Sequence, residues 1–304
     1  MALITGATTV VRLNPVRRML RVLSCIRLDE VILLQGSPLL GALFAMGQLD
    51  IARSAAIALL GAGSTLLVAH VFVLNDWSGL SHDARDPNRR SGMFTTRGIS
   101  RKAACYLSLV LVVAALLLLG RFGFLTLGIA LALVGLSAMY SVPRIHWKGV
   151  PVLSSALHFA GGLLHFLLGY SIFTTPNWRA IQIGGFFALI FVAGHLTHET
   201  RDRDSDRVND IRTNAVTFGE MPIFIAGLIL FLVADILLVL LALSNIVPRP
   251  MAIAACFIPL HVYWSRAVIR SGVTFASIQR LQTRYRALYA GLGLWVTAVL
   301  LFAR

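Results

Sequence analysis

The chain has 304 residues, 57% of them hydrophobic and only 13% charged, with a mean hydropathy of +0.79. Ordinary soluble domains carry about a quarter charged residues, so this balance excludes one and indicates an all-α polytopic membrane protein. Net charge is +14 with 25 arginines among the 27 cations, yet no nucleic-acid motif accompanies it, and the excess reads as loops facing anionic membrane lipid.

Residues 1–27 carry Arg12, Arg17, Arg18, Arg21 and Arg27, with no small-residue cleavage site behind a short apolar core. They read as a basic amphipathic lead-in on the cytoplasmic side and not as a signal peptide. Apolar runs then fall near 30–48, 54–74, 103–120, 122–140, 152–173, 181–198, 222–245, 251–269 and 286–303, the eighth interrupted by His261 and Arg266. A helix needs about 20 apolar residues to cross a bilayer, because backbone groups there have no water to bond. Nine helices are therefore expected, around a central lipid-open cavity, with residues 28–304 as one domain.

Placing the connecting loops alternately on two sides, with the N-terminus inside, puts 22 Lys and Arg on one side and 5 on the other. That bias predicts a cytoplasmic N-terminus. Cys25, Cys105 and Cys256 are widely spaced with no CxxC, which argues against a disulfide framework or a zinc site.

Eight of the thirteen acids collect in two loops on the same side. The first segment is VFVLNDWSGLSHDARDPNRR, Val71 to Arg90. Asn75 and Asp76 lie eight and seven residues before Asp83, so in helical geometry the three share a broad face. Asp86, Asn88, Arg89 and Arg90 follow in a turn marked by Pro87. The plainer reading of Asn-Asp at a helix end is a cap, but arginine forks nearby suit the free oxygens of a diphosphate.

The second segment, HLTHETRDRDSDRVNDIRTNAVTFG, continues out of the sixth apolar run. If the helix persists for two more turns, His195, Glu199, Asp202 and Asp206 line one face at spacings of four, three and four. Stacked carboxylates need a cation, and hard oxygen donors suit Mg2+, which keeps waters and shares its shell with phosphates. Arg201, Arg203 and Arg207 alternate with the acids and offer partial neutralisation instead, as a solvated helix end with ion pairs. The two segments are four helices apart, and a tyrosine beside a basic loop recurs at Tyr140–Arg144 and Tyr263–Arg266, which suggests a four-helix repeat, 28–150 and 151–270.

The quoted residues resemble a known family. NDWSGLSHD followed by DPNRRSGMFTTRGIS resembles the first aspartate-rich motif, NDxxDxxxD, of the UbiA superfamily of intramembrane prenyltransferases. RDRDSDRVNDIRTNAVTFG resembles the second, DxxxD, and YSVPRIHWKGVP resembles the YxxxxxxxK segment between the fourth and fifth helices. The resemblance implies Mg2+-dependent transfer of an isoprenyl group from a polyprenyl diphosphate, through an ionised allylic cation, to a small hydrophobic or aromatic acceptor. It implies that Asn75, Asp76 and Asp83 hold one metal ion and Asp202 and Asp206 the other. Lys148 and Arg89 would bind diphosphate oxygens, Tyr140 would sit near the reacting carbon, and His198, Glu199 and Arg201 would contact substrate. A bacterial inner membrane is expected, with the motifs facing the cytoplasm.

Three departures stand out. Gly79 replaces the middle aspartate of the first motif, Arg90 replaces an expected proline, and Asp210 stands where glycine is common. His195 and His198 suggest a distinct acceptor or a general base, while His158 and His165, seven apart in the fifth run, either line the cavity or bond a backbone carbonyl. Other readings are an acceptor-free terpene cyclase on the same scaffold and a non-catalytic transporter with ion sites at helix breaks. The acids disfavour the transporter, since they lie at one face rather than the midplane. A hydrolase using His195, His198 and Glu199 lacks the HExxH spacing.

Overall fold

The computed structural model describes residues 15–85 and 93–302, and among them there are helices and turns but no strand. Amphipathic α1 (Pro15–Leu23) precedes a first apolar span broken at Gln35 into α2 (Leu28–Leu34) and α3 (Gly36–Ala45). There follow α4 (Ile51–Asp83), α5 (Arg101–Leu119), α6 (Phe124–Ser141), α7 (Leu153–Ser171) and α8 (Trp178–Val208). Short α9 (Asn214–Phe218) leads to α10 (Glu220–Leu243), α11 (Phe257–Ser271) and α12 (Phe275–Phe302).

Eight helical segments among the described residues are long and apolar enough to cross a membrane. With the family assignment below, this makes the chain an integral membrane protein. The fifth expected span corresponds to α7, which has 19 residues but is not one of the eight, since His158 and His165 dilute its apolarity. Along α10, Ile225, Ile229, Val233, Ile236 and Leu240 are exposed at spacings of three and four, a single apolar stripe. In water such a stripe would be a sticky patch, whereas facing lipid it needs no cover.

Two helices overshoot the bilayer. At about 1.5 Å per residue, the 33 residues of α4 and the 31 of α8 span roughly 50 and 46 Å against a hydrocarbon core of about 30 Å. The polar ends of both helices therefore project beyond the core while keeping their helical backbone bonds. Those ends carry the two acidic segments.

Backbone contact fixes α7 between its neighbours. A β-carbon on Gly169 would lie 1.7 Å from the Pro38 carbonyl oxygen of α3, and one on Gly162 would lie 2.9 Å from Cα of Ala188 on α8. Lipid offers no hydrophobic reward for bringing helices together, so close backbone packing of this kind, with interhelical hydrogen bonds, must do so. Ser64 of α4 meets His165 of α7 at 2.9 Å, and His70 of α4 meets Ser108 of α5 at 2.9 Å. Farther away, fully buried Asp235 and His261 pair at 3.2 Å, and the Tyr289 hydroxyl donates to Asp235 at 3.2 Å, tying α10, α11 and α12 together.

The end of α8 explains one departure from the motif. Asp210 has φ +56°, in the left-handed region, and the Ile211 N–H returns to the Asp206 carbonyl at 2.9 Å. Glycine is favoured at such a helix stop because a side chain costs conformational energy there. Asp210→Gly should raise stability by about 0.5–1 kcal/mol. A higher melting temperature in detergent would agree, and a fall would contradict it.

Candidate active site

Polar contacts join the projecting ends of α4 and α8 along one rim. Arg27, at the start of α2, forks onto both carboxylate oxygens of Asp76, its Nε donating to Oδ2 at 3.2 Å. One turn along α2, Glu30 accepts from Arg286 of α12 at 2.7 and 2.9 Å. Gln282, a turn earlier on α12, accepts from Arg201 Nη1 at 2.8 Å, and Arg201 forks onto Asp202 through Nε at 2.7 Å and Nη2 at 3.0 Å. A path of paired charges and amides thus runs from the first motif to the second by way of α2 and α12.

A direct link closes the other side. Asn209 Nδ2 at the end of α8 donates to the His82 carbonyl at the end of α4 at 3.3 Å. The His82 ring stacks with His146 at 6.0 Å, which brings the α6–α7 loop, with half-buried Lys148, to the same rim. Burial, then the nearby Lys148 and His82, lower the His146 pKa below its usual value, so that imidazole stays neutral at pH 7.

Asp202 and Asp206 are 8% and 7% exposed, a turn apart on the inward face of α8, as their spacing predicts. Asn75, Asp76 and Asp83 are half-buried on α4. A β-carbon on Gly79 would lie 3.7 Å from Asp83 Oδ2, so the Asp83 carboxylate leans over the surface left bare by the missing aspartate. Arg89 lies outside the described residues. Among the described residues no three His, Cys, Asp or Glu side chains are grouped so as to hold a metal ion. The donor set is nonetheless all hard oxygen, which fits Mg2+, and the two forked arginines supply the neutralising charge that an ion would bring.

One to two turns deeper along α8, at Glu199 and His195, a second group is assembled. Glu199 is 5% exposed and fully engaged: Oε1 accepts from His195 Nε2 at 3.0 Å and from the Ser154 hydroxyl at 3.2 Å, and Oε2 from the Asn214 N–H at 3.0 Å and side-chain amide at 2.9 Å. Glu199 therefore braces α7, α8 and α9 against one another. Its neighbour Asn214 also accepts the Val152 N–H at 2.7 Å, holding Val152 at φ +64°, a strained value for a β-branched residue.

The His195 ring stacks on His158 at 3.6 Å and 10°, while Tyr140 of α6 meets His158 and His195 edge-on at 5.0 and 6.4 Å. Phe191 extends this wall, 5.4 Å from His158. His198 is half-buried a turn before Asp202. Sequence reasoning missed Arg27, Ser154, Asn214 and Gln282 as partners. Of these, only Asn214 stood within a quoted motif.

A family model described as the UbiA prenyltransferase family matches residues 37–284, well over half of the chain. The chain belongs to that family. Its members are prenyltransferases, and among solved structures the fold is similar to several of them. A UbiA homologue from Archaeoglobus fulgidus, bound to GPP and Mg2+, superposes with a TM-score of 0.70 at 17% identity, covering 92% of this chain and 100% of that one. An apo UbiA homologue from Aeropyrum pernix K1 gives 0.71 at 15% identity, covering 90% and 99%. A digeranylgeranylglyceryl phosphate synthase gives 0.66 at 17% identity, covering 93% and 98%. A search of the curated proteins finds no match. Within this UbiA-family chain, the Gly79 departure falls on a half-buried stretch of α4 beside Asp83, and Asp210 falls on a left-handed helix stop.

Proposed function

We propose that this chain transfers an isoprenyl group from an allylic prenyl diphosphate to a small, aromatic acceptor, in a bacterial inner membrane with the acidic rim facing the cytoplasm. Leu153–Ser171 serves as a ninth span in this reading, and residues 28–304 form one transferase domain around a lipid-open chamber, built on the repeat 28–150 and 151–270. The observation that carries the reading is the rim itself: two acidic helix ends, far apart in sequence, are tied together by Asn209 to His82 and by the Arg27-to-Arg201 path.

Asn75, Asp76 and Asp83 would hold one Mg2+ and Asp202 and Asp206 another. Magnesium, when bound, supplies charge that stabilises a departing diphosphate. The protein groups do the rest. Arg27 and Arg201, which fork onto Asp76 and Asp202, are placed to turn their forks to diphosphate oxygens once the carboxylates are otherwise engaged, and Lys148 and Arg89 would bind further diphosphate oxygens. The π faces of the rings below the rim suit an allylic cation, with Tyr140 beside it. Apolar helices around them keep water from capturing that cation.

The test uses protein reconstituted in nanodiscs with geranyl diphosphate, Mg2+ and a panel of hydroxylated benzoates and naphthols. Diphosphate release coupled to a prenylated aromatic product, and lost with EDTA, is the expected result. Terpene products without an acceptor would replace this reading with a cyclase. The Gly79 departure gives a further prediction: Gly79→Asp should bind Mn2+ about ten-fold or more tightly in the presence of geranyl diphosphate, since a carboxylate joins the donor set. Titration followed by electron paramagnetic resonance checks it, and unchanged affinity would contradict a metal site at this helix face.

A further inference from the structure

Resting on the prenyl-transfer reading, we infer that the Glu199–His195 pair is a built-in base that takes the proton the acceptor must lose, and that the Tyr140–His158–His195 wall is the acceptor's seat.

The need for such a base follows from the chemistry. When the C1–O bond of the donor breaks, its electron pair leaves with diphosphate. The attacking atom of the acceptor, a ring carbon or a hydroxyl oxygen, then forms a bond to C1 and must give up its hydrogen as a proton, the electrons of that bond returning to the acceptor. Net, prenyl diphosphate and acceptor become prenylated acceptor, diphosphate and one proton. The dry surroundings that protect the cation also remove water as a proton sink. The proton then goes either to the departing diphosphate at the rim or to a base in the wall, and the wall holds one.

The hydrogen bonds show which atom is available. Glu199 Oε1 can only accept from His195 Nε2 at 3.0 Å, so Nε2 carries a proton, and in the neutral form of the ring the lone pair sits on Nδ1. The carboxylate behind Nε2 orients the ring and steadies the imidazolium formed when Nδ1 takes a proton, the role of a buried carboxylate behind a catalytic histidine. Two Asn214 donors and the Ser154 hydroxyl in turn hold Glu199 ionised and fixed. Likewise His158 Nδ1 donates to the Ser154 carbonyl at 2.8 Å, which locks that ring in its stack against His195. His195 lies seven residues from Asp202, about 10 Å along the axis of α8. That places the base below the diphosphate rim, at the level of the reacting carbon and acceptor rather than of the leaving group. A wall of flat rings selects a planar aromatic acceptor bearing a removable proton.

His195→Phe keeps a stacked ring and removes the base. In the nanodisc assay with geranyl diphosphate and the same aromatic panel, diphosphate release and prenylated product are measured separately. The expected result is a fall of about 10²–10⁴-fold in product, with diphosphate release falling far less. Added imidazole should restore part of the product in His195→Gly. Glu199→Gln keeps the size but sets an NH2 group against donors, so product formation should fall more than diphosphate release, with some loss of melting temperature. Product at the wild-type rate in His195→Phe would overturn the inference. So would parallel loss of both readouts without imidazole rescue, or wild-type diphosphate release that couples to no aromatic in the panel. A wild type that releases no diphosphate at all is a different outcome, because it removes the prenyl-transfer reading beneath the inference.

Discussion

Asp202→Asn is expected to lower Mg2+-dependent diphosphate release by at least about 10²–10³-fold, the scale on which one preorganised group acts on developing charge. Asp202 is 8% exposed and its two oxygens are held by the Arg201 fork, itself anchored to Gln282. The amide keeps the shape of the carboxylate and loses its charge, so Arg201 is left without a full counter-charge in a half-buried place. Part of the loss then comes from a misplaced arginine, for which the single variant Arg201→Gln gives the reference. If Asp202 acts on the diphosphate site beyond holding Arg201, Asp202→Asn loses more release than Arg201→Gln does. Equal losses would show that Asp202 only restrains Arg201.

Gly169→Leu should prevent assembly of the bundle or destabilise it by at least about 3 kcal/mol, at the upper end for overpacking. The new β-carbon would stand 1.7 Å from the Pro38 carbonyl, and backbone cannot swing aside as a side chain can. The two helices would have to part, opening the α3–α7 seam on which Phe166 and Tyr170 pack. Gly128→Leu on α6, where a β-carbon meets nothing within 4 Å, is the control and should cost little. Unfolding in a denaturing detergent titration compares the two. Equal midpoints would show that the α3–α7 contact does not hold the fold.

Apolar run lengths and acidic spacings were the legible part of this molecule. The sequence placed His195, Glu199, Asp202 and Asp206 on one face of a helix continuing past the membrane, and all four are buried on α8. Sequence alone could not tell what covers that face. Asp202 meets an arginine from its own helix, whereas Glu199 is enclosed by Ser154 and Asn214, from elements 45 and 15 residues away. Long-range partners of this kind leave no local pattern, and Arg27, which counted only as lead-in charge, reaches Asp76 across 49 residues.

Helix ends were less legible than helix cores because backbone bonding continues through polar residues. The second span was expected to end at residue 74, yet α4 continues to Asp83. The eighth, expected from 251, begins as a 3-10 segment at Arg249 with proline in its first turn. For His158 the sequence left two alternatives, a cavity wall or a bond to a backbone carbonyl. The structure shows the second, the ring donating to the Ser154 carbonyl from one nitrogen while its face stacks on His195.

The central claim is that the ends of α4 and α8 act as one binding site, and double-mutant energetics test it most directly. Mn2+ affinity in the presence of geranyl diphosphate is measured for the wild type, Asp83→Asn, Asp202→Asn and the double variant. A shared site predicts strong loss in each single variant and a non-additive double, with a coupling energy of about 1 kcal/mol or more. Additive losses, or an Asp83→Asn variant that binds as the wild type does, would contradict it.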